Sequence, residues 1–407
     1  MEARPYRIIP WLLLLAALLP VTVRSQVAVR GEMVYSMAGP PIRNGVVLIR
    51  DGKIQKIGPG KNIRIPDDYE VYEAVVVTPG LVDARATVGL SGIYNQKHDQ
   101  DQLDKSAPIQ PELRASDAYN PREELVFFLR TLGVTTVHTG PAPGALISGQ
   151  TLVAKTSGLT IDEVMLSDGP MICLALGPRV SGNFKSPGTR SKGVAMLRAD
   201  LVKAREYLKK MGDKRADKRP AVDLKMEALA RLLSGEAKAL IHANASHDIM
   251  SAIRLAREFD LRLVLDGAAE AYLLIDEIRA SGAEVILHPT MARASGEMKN
   301  MSMETAGKLT AAGIQVAIQS GYEAYVPKTR VVLYEAAIAA ANGLGMERAL
   351  ETITINAARI IGQDKRIGSL EAGKDADLVL FDGDPFEYTT KVCAVFINGE
   401  LVHEACK

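Results

Sequence analysis

Several residue types that mark particular protein classes are scarce in this chain. Its 407 residues include three cysteines, one tryptophan and six histidines, and aromatic side chains make up only 5%. Cys173, Cys393 and Cys406 lack the spacing of a cysteine metal site. An odd set of three allows at most one internal disulfide, and their spacing does not identify the pair.

Two common catalytic motifs are also missing. The chain contains neither a phosphate-binding Gly-Lys-Ser/Thr loop nor a Gly-x-Ser-x-Gly nucleophile elbow. The sequence therefore gives no support to nucleotide use or to serine hydrolysis.

Only the first 25 residues contain an apolar run of export-signal character. Arg4 and Arg7 precede apolar residues 8–19, and Val23-Arg24-Ser25 supplies small residues near a cleavage point. This pattern predicts a secretory signal peptide at residues 1–25, and its apolar run is shorter than the ~20 residues of a membrane-spanning helix. We expect a periplasmic or extracellular protein with no membrane span after removal of the signal.

The charge of the remaining chain argues against nucleic acid as a partner. Removal of three arginines and one glutamate changes the formal net charge from +1 to −1. A nearly neutral protein lacks the basic excess with which proteins bind the phosphate backbone. A small-molecule ligand or substrate is the expected partner.

The rest of the sequence has the composition of a globular protein, with 47% hydrophobic and 24% charged residues. Hairpin signals occur at both ends: RNGVVLIRDGKIQKIG near the start and DADLVLFDGDPFEYTTKVCAVFINGELVH near the finish. Their Asn-Gly and Asp-Gly pairs accept the positive φ angles of tight turns. We expect the two ends to form one β-domain.

Between these ends, apolar runs of strand length alternate with helical segments. The periodicity around residues 246–259 predicts a helix capped by Ser246, and residues 91–120 predict a long loop over the barrel mouth. Alternation of this kind is typical of parallel strands with crossover helices. Eight apolar runs of strand length favour a closed (β/α)8 barrel. The eight runs are VVVTPGLVDA, VTTVHTG, TLVAKTS, MICLALG, ALIHAN, LRLVLDG, AEVILHP and IQVAIQS.

Four segments resemble the amidohydrolase superfamily, particularly its imidazolonepropionase-like and exported members. They are NGVVLIRDGKIQKIG, VTPGLVDA, GVTTVHTGPAPGALISGQ and TINAARIIGQDKRIGSLEAGKDADLVLFDGDPF, in family-like order and spacing. The resemblance implies an α/β fold: a TIM-like (β/α)8 barrel, here expected at residues 81–364, beside a small β-sandwich built from residues 26–80 and 365–407.

The same resemblance implies a metal site whose ligands are largely replaced here. Relatives end the first barrel strand with Asp-Ala-His-x-His, where this chain has Arg85 and Thr87 in place of the two histidines. His242 keeps the ligand of the fifth strand, but Ser320 or Gly321 stands where the catalytic aspartate of the eighth strand is expected. A protonated arginine cannot ligate a metal and repels it. The zinc or iron of the family is therefore expected to be weakly bound or absent.

Several other residues at the predicted strand ends could still form a site. Asp266 or Gly267 takes the position of the sixth-strand ligand, and His138 and His288 end strands two and seven. One reading is a metal site of His242, Asp266 and His288, a two-histidine, one-carboxylate set. Lys155 ends the third strand, where some superfamily members use a carboxylated lysine.

A metal-free acid/base site is the second reading, with Asp266 and His242 as catalytic candidates and Glu270 and Glu323 as further carboxylates. Candidate substrate-binding residues are Arg85, Glu270, Tyr322 and Lys328, and Tyr325 could line the pocket beside them. By descent the chain is a hydrolase of C–N bonds in amides or cyclic amides. The alternative is a non-catalytic protein that binds a small molecule or partner at the barrel mouth.

Overall fold

A computed structural model describes residues 26–94, 96–322 and 332–406. The signal peptide predicted at residues 1–25 lies outside these ranges, as do the candidates Glu323, Tyr325 and Lys328. Within them, no helix is both long and apolar enough to cross a membrane.

The strands of the described residues form two sheets. They are β1 (Val27–Val34), β2 (Ile42–Arg50), β3 (Lys53–Pro59), β4 (Glu70–Pro79), β5 (Leu81–Ala86), β6 (Val134–Thr139), β7 (Ile147–Lys155), β8 (Met165–Ala175), β9 (Lys238–Ala243), β10 (Leu263–Gly267), β11 (Glu284–Leu287), β12 (Val316–Ile318), β13 (Leu378–Phe381), β14 (Val392–Ile397) and β15 (Glu400–Glu404).

The α-helices lie mainly between the strands of the second sheet. They are α1 (Glu124–Thr131), α2 (Ile161–Val164), α3 (Pro178–Asn183), α4 (Arg190–Met211), α5 (Leu224–Leu233), α6 (Ser246–Phe259), α7 (Ile275–Ser281), α8 (Thr305–Ala311), α9 (Val332–Ala339), α10 (Met346–Thr352) and α11 (Ile355–Ile360).

The two chain ends build one seven-stranded sheet, in the order β15-β14-β13-β4-β1-β2-β3. Asp51 and Gly52 turn β2 into β3 with φ angles of 54° and 77°, and Asn398 and Gly399 turn β14 into β15 in the same way. The sheet folds over itself, since the Ile54 N–H donates to the carbonyl of residue 374, just before β13. Its buried side chains enclose an apolar core between the two halves. The prediction that both ends form one β-structure is confirmed.

The second sheet contains eight strands in the order β12 to β5, and a parallel bridge between Ala86 and Gly321 brings its two edges together. The predicted α/β barrel is therefore confirmed. One apolar cluster joins side chains from seven of these strands inside the barrel, as expected for alternate residues that face a common centre. They are Val82, Val153, Met171, Leu240, Val264, Ile286 and Ala317.

The expectation of eight parallel strands is wrong for the third run, because β7 pairs antiparallel with both β6 and β8. Lys155, at the end of β7, consequently lies opposite the ends of the parallel strands. Its Nζ contacts the carboxylate of Asp377 and lies 3.2 Å from that of Asp375. Lys155 is thus part of a buried ionic junction with the C-terminal segment.

The first predicted run is also divided between the two sheets. Val75–Pro79 belongs to β4, whereas Leu81–Ala86 forms β5. Gly80 joins them, and a β-carbon there would lie 2.2 Å from Oγ1 of Thr135. Only glycine allows the chain to pass from one sheet to the other at this point.

Helix α6 follows the predicted periodicity and buries Ile249, Ala252, Ile253, Ala256 and Phe259. Ser246, expected to be its cap, is instead its first residue. The cap comes from another part of the chain, because the carboxylate of Glu270 accepts a hydrogen bond of 2.7 Å from the Ser246 N–H.

Candidate functional site at the barrel mouth

The barrel mouth is the end of the barrel at which β5, β6 and β8–β12 finish. Eight polar or sulfur-containing side chains, one from each barrel strand or the residue that follows it, lie near the mouth. Thr151 is the one from the antiparallel strand β7. On β9 to β12 these residues follow the interior apolar residues by two positions, so they point to the same side of the sheet. The eight are Arg85, His138, Thr151, Cys173, His242, Asp266, His288 and Gln319.

Arg85 is turned into the barrel and is 1% exposed. Its Nη1 donates to the carbonyls of Ala86 (3.0 Å) and Gly140 (3.2 Å), and Nη2 donates to the carbonyl of Pro141. The guanidinium carbon lies 5.0 Å from the ring centre of Tyr322. The protein itself engages this side chain, which was expected to bind substrate.

The carboxylate of Asp266 lies at the centre of the mouth. Its Oδ1 accepts a hydrogen bond from Gln319, while Oδ2 accepts one from the hydroxyl of Tyr322 and lies 3.8 Å from Nε of Arg85. Burial alone would raise the pKa of Asp266, but His242, Arg85 and Tyr322 outweigh it and lower the pKa to about 2. Asp266 is therefore a carboxylate with little basicity.

His242 is adjacent to Asp266 on the neighbouring strand. Its Nδ1 lies 3.4 Å from Oδ2 of Asp266, and its Nε2 lies 3.2 Å from the amide nitrogen of Asn244. Since that amide nitrogen can only donate, Nε2 accepts and Nδ1 carries the proton. Both ring nitrogens thus have partners within the protein.

Asp83 and Ser320 join the first and last barrel strands. The Ser320 hydroxyl and N–H both donate to the Asp83 carboxylate, as does the N–H of Arg85 at 3.2 Å. Burial raises the pKa of Asp83 to about 6, and these hydrogen bonds moderate the rise. Ser320 therefore bonds Asp83. The hydroxyl of Thr87, in the other substituted position, lies 3.4 Å from the Tyr322 carbonyl.

His138 is fully buried and has a partner on each nitrogen. Nδ1 is 2.6 Å from the carbonyl of Ala84, and Nε2 is 2.8 Å from the hydroxyl of Thr151. Burial, followed by the charge of Arg85, lowers the pKa of His138 to about 3. His138 connects three strands as a neutral imidazole.

A cleft of about 1360 Å³ opens above these residues. His242, His288, Gln319 and Tyr322 form part of its floor. The three-ligand metal site expected of His242, Asp266 and His288 is not assembled. Within the described ranges, three metal-ligating side-chain atoms come within 4.8 Å of one another only at Asp382, Cys393 and Cys406. Those two cysteines form a disulfide.

His288 and Gln319 each present an acceptor atom without a partner. His288 Nδ1 lies 2.7 Å from the Pro289 carbonyl, so Nδ1 must carry the proton and Nε2 a lone pair. Burial lowers the pKa of His288 and keeps it neutral. The amide nitrogen of Gln319 donates to Asp266 and to the carbonyl of Ile286, which leaves Oε1 as the second acceptor. His288 Nε2 and Gln319 Oε1 are buried without a hydrogen bond.

Glu270, expected to contact substrate, lines the cleft but has both oxygens occupied. One accepts from the Ser246 N–H and the other from the amide of Asn300 at 2.6 Å. Burial would raise its pKa, but these donors lower it overall. Glu270 anchors the start of α6 and the segment at Asn300.

Positive side chains dominate the rim of the cleft. Arg179, Arg293 and Lys299 line it, and the described part of the chain gives none of them an ion-pair partner. Arg190 also lines the cleft but is paired with Asp248 at 2.9 Å. Two acidic residues, Glu270 and Glu297, also line the cleft. The rim therefore favours a negatively charged ligand.

Sequence reasoning missed Gln319, Cys173 and the three rim cations. Gln319 could have been found from strand parity, because it lies two positions after Ala317 on the strand that precedes the predicted Ser320. Cys173 also lies two positions after an interior residue, Met171, and its Sγ is 3.5 Å from Nη2 of Arg85. The rim cations come from loops, for which the sequence offered no periodic signal.

Comparison with known proteins places this arrangement in a family. Residues 145–402 match the Amidohydrolase family. The crystal structure of an amidohydrolase from Thermotoga maritima superimposes with a TM-score of 0.87 at 30% identity, covering 93% of this chain and 100% of that one.

Curated relatives agree. The imidazolonepropionase of Fusobacterium nucleatum is 25% identical over 88% of this chain and 91% of its own length. Amidohydrolase tasK of Hapsidospora irregularis is 25% identical over 93% of this chain, which spans only 43% of that longer protein. This chain belongs to the amidohydrolase family.

Proposed function

We propose that the cleft at the barrel mouth binds a small molecule that carries N–H donors and a negative group, and that it does so without metal-dependent turnover. The observation that carries this proposal is that two residues of the cleft each hold one buried acceptor atom without a partner, His288 Nε2 and Gln319 Oε1. A buried polar atom without a partner costs about 1–3 kcal/mol, and a ligand donor would remove that cost. Since β11 and β12 are hydrogen-bonded neighbours, the two acceptors follow adjacent strands.

The charge of the rim supports the proposal that the ligand carries a negative group. Arg179, Arg293 and Lys299 outnumber the two acidic residues that line the cleft, Glu270 and Glu297, by one. Positive walls around a concave site concentrate anions there. A molecule with amide or ureido nitrogens at one end and a carboxylate or phosphate at the other would meet both parts of the cleft.

The family relationship supports an amide-type ligand. By homology the chain is a member of a hydrolase superfamily, and one relative over nearly the full chain is an imidazolonepropionase. Hydrolysis of a C–N bond in an amide or cyclic amide is the activity expected by descent. The binding groups for such a molecule can persist where the catalytic groups have been replaced.

The contacts of the candidate catalytic residues argue against turnover. Asp266 is a weak base that accepts hydrogen bonds from Gln319 and Tyr322 and has His242 and Arg85 within 4 Å. His242 Nε2 accepts a hydrogen bond from Asn244. Activation of water requires either a base whose pKa is near neutral and whose lone pair is free, or a metal with an open coordination position. The pKa of Asp266 is too low for such a base, and the Nε2 lone pair of His242 is engaged by Asn244.

Export forms part of the proposal. Cys393 and Cys406 are joined by a disulfide, while Cys173 is a buried free thiol. Disulfides persist mainly in oxidising compartments. The bond therefore supports the secretory signal predicted at residues 1–25.

A thermal-shift screen tests the binding. The panel contains cyclic amides, N-acyl amino acids and ureido acids, each with a matched compound that lacks the negative group. We expect a concentration-dependent rise in Tm for the charged amides and none for their neutral partners. Gln319→Leu should abolish the shift, whereas His98→Ala, at a side chain that is 78% exposed, should retain it.

A product assay on the same panel tests the absence of turnover. If the unmodified protein forms product and both Asp266→Asn and His242→Ala do not, the protein is a hydrolase and the proposal of binding without turnover is wrong. A screen in which no charged amide changes the Tm contradicts the ligand class itself.

A further inference from the structure

We infer that the guanidinium of Arg85 is a fixed internal cation that takes the place of the metal ion implied by the family resemblance and supplies one positive charge there. This inference concerns the buried centre of the barrel and holds independently of the ligand proposed for the cleft above it. It rests on the surroundings of Arg85, on its pairing with Asp266 and on the lack of space at Gly267.

The surroundings of Arg85 supply acceptors to both of its Nη groups, while its buried Nε makes no hydrogen bond. Three backbone carbonyls, those of Ala86, Gly140 and Pro141, receive its Nη hydrogens, and Sγ of Cys173 lies 3.5 Å from Nη2. The face of the Tyr322 ring covers the group from another side. A charge that is 1% exposed persists only with such partners, and the carbonyls of the β5 end and the β6–β7 connection supply them.

Arg85 also neutralises the carboxylate of the mouth. Its Nε is 3.8 Å from Oδ2 of Asp266, and both side chains are at most 2% exposed. The metal ion that the family resemblance implies would balance an acidic ligand of the site, whereas here the balancing charge is covalently attached to β5. A divalent ion at this position would face the guanidinium at short range and would be repelled.

The backbone at Gly267, which with Asp266 is one of two candidates for the sixth-strand ligand position, leaves little room for a side chain. Gly267 has a φ of +85°, and a β-carbon there would lie 2.7 Å from Oδ1 of Asn244 and 2.9 Å from the His242 ring. A histidine therefore cannot occupy this position without movement of the backbone or of His242. With Ser320 bonded to Asp83, the remaining donors do not fit the family's metal.

Metal binding of the unmodified protein provides the first test. The full chain is expressed in zinc-supplemented medium, dialysed and examined by elemental analysis, and then titrated with zinc, manganese and ferrous ions by calorimetry. We expect less than about one tenth of a metal ion per chain, and no change of Tm with chelator. Stoichiometric metal that raises the Tm and is removed by chelator overturns the inference.

A mutant cycle tests the role of Arg85 as counter-ion. Arg85→Met leaves Asp266 buried and unpaired, so we expect a fall in Tm of about 5 °C or more. In the double variant with Asp266→Asn, part of that loss should be recovered. The control is Arg30→Met, whose exposed partner is Glu73 at 3.0 Å, and it should leave the Tm nearly unchanged.

Each result of the cycle decides for or against the inference. An Arg85→Met protein with the Tm of the control, or a double variant without recovery, contradicts a counter-ion role. If Arg85→Met does not fold, the single variant Asp266→Asn tests the pairing instead. That variant should show a lower Tm than the unmodified protein, because Arg85 then lacks its carboxylate, and an unchanged Tm contradicts the pairing.

Discussion

The hydroxyl of Ser320 donates a hydrogen bond to the carboxylate of Asp83, where the last barrel strand meets the first. The folded protein favours the protonated form of Asp83, because burial raises its pKa to about 6 from an ordinary value of 3.8. The stability contributed by this group is complete below pH 3.8 and is lost as the pH rises through 6.

Asp83→Asn should therefore gain stability relative to the unmodified protein as the pH increases. An asparagine can keep the bonds to Ser320 without a charge. From pH 5 to pH 8 we expect the difference in unfolding free energy to shift by about 1 kcal/mol in favour of the variant. Urea denaturation at both pH values measures this shift, and a constant difference contradicts the raised pKa.

His138 should make the fold sensitive to acid. Its pKa is lowered to about 3 from 6.5, so the unfolded chain binds a proton that the folded protein does not. The stability from this group is present above pH 6.5 and is lost as the pH falls towards 3. Between pH 7 and pH 4.5 we expect a loss of roughly 2 to 3 kcal/mol.

His138→Gln removes this titration while it retains an amide donor and acceptor. Denaturation curves of both proteins from pH 7 to pH 4.5 should show a smaller acid loss for the variant. Parallel pH profiles for the two proteins would exclude His138 as the source of the acid sensitivity.

Lys155 should be essential for stability rather than for ligand binding. Lys155→Met leaves Asp377 and Asp375 with a missing partner at a buried junction where all three side chains are at most 4% exposed. Loss of one partner from a buried ion pair costs about 3–5 kcal/mol. Lys308→Met removes an exposed pair with Glu304 and should cost less than about 1 kcal/mol. Equal denaturation midpoints for the two variants would contradict the junction.

The disulfide of the C-terminal hairpin should also be measurable. In denaturant without reductant, a thiol assay should detect only Cys173, and reduction should release the remaining two thiols. A Cys393→Ser/Cys406→Ser variant should be about 2 to 3 kcal/mol less stable, since a disulfide between cysteines 13 positions apart restricts the unfolded chain by that order. Three reactive thiols before reduction would disprove the bond.

Much of the fold was predictable because its signals are local. The turns at Asp51-Gly52 and Asn398-Gly399 identified hairpins, and the periodicity of α6 identified its buried face. The direction of β7 was not predictable, because an apolar run of strand length reads the same in a parallel and an antiparallel strand. The capping of α6 by Glu270 depends on a contact across 24 residues, which no local pattern records.

The sequence predicted part of the membership of the candidate site but not the roles of its residues. Arg85, His242, Asp266 and Tyr322 lie together at the mouth. This was expected, because residues at the ends of parallel barrel strands meet at one face of the barrel. The structure assigns Glu270 to a helix start. Gln319 has a free acceptor because its amide nitrogen donates to Asp266 and leaves the amide oxygen without a partner. The orientation of this amide follows only from the hydrogen bonds of the folded protein.

The reversed direction of β7 alters how this barrel can diversify. In an all-parallel barrel, eight separate connections border the ligand, and each can change length or sequence alone. Here residues 140–146, which lead from β6 into β7, border the mouth, while the connection from β7 to β8 lies at the opposite end. The carbonyls of Gly140 and Pro141 in that shared connection bind Arg85. Loop exchange aimed at new specificity should therefore spare residues 140–146 and concentrate on the segments after β8 and β11.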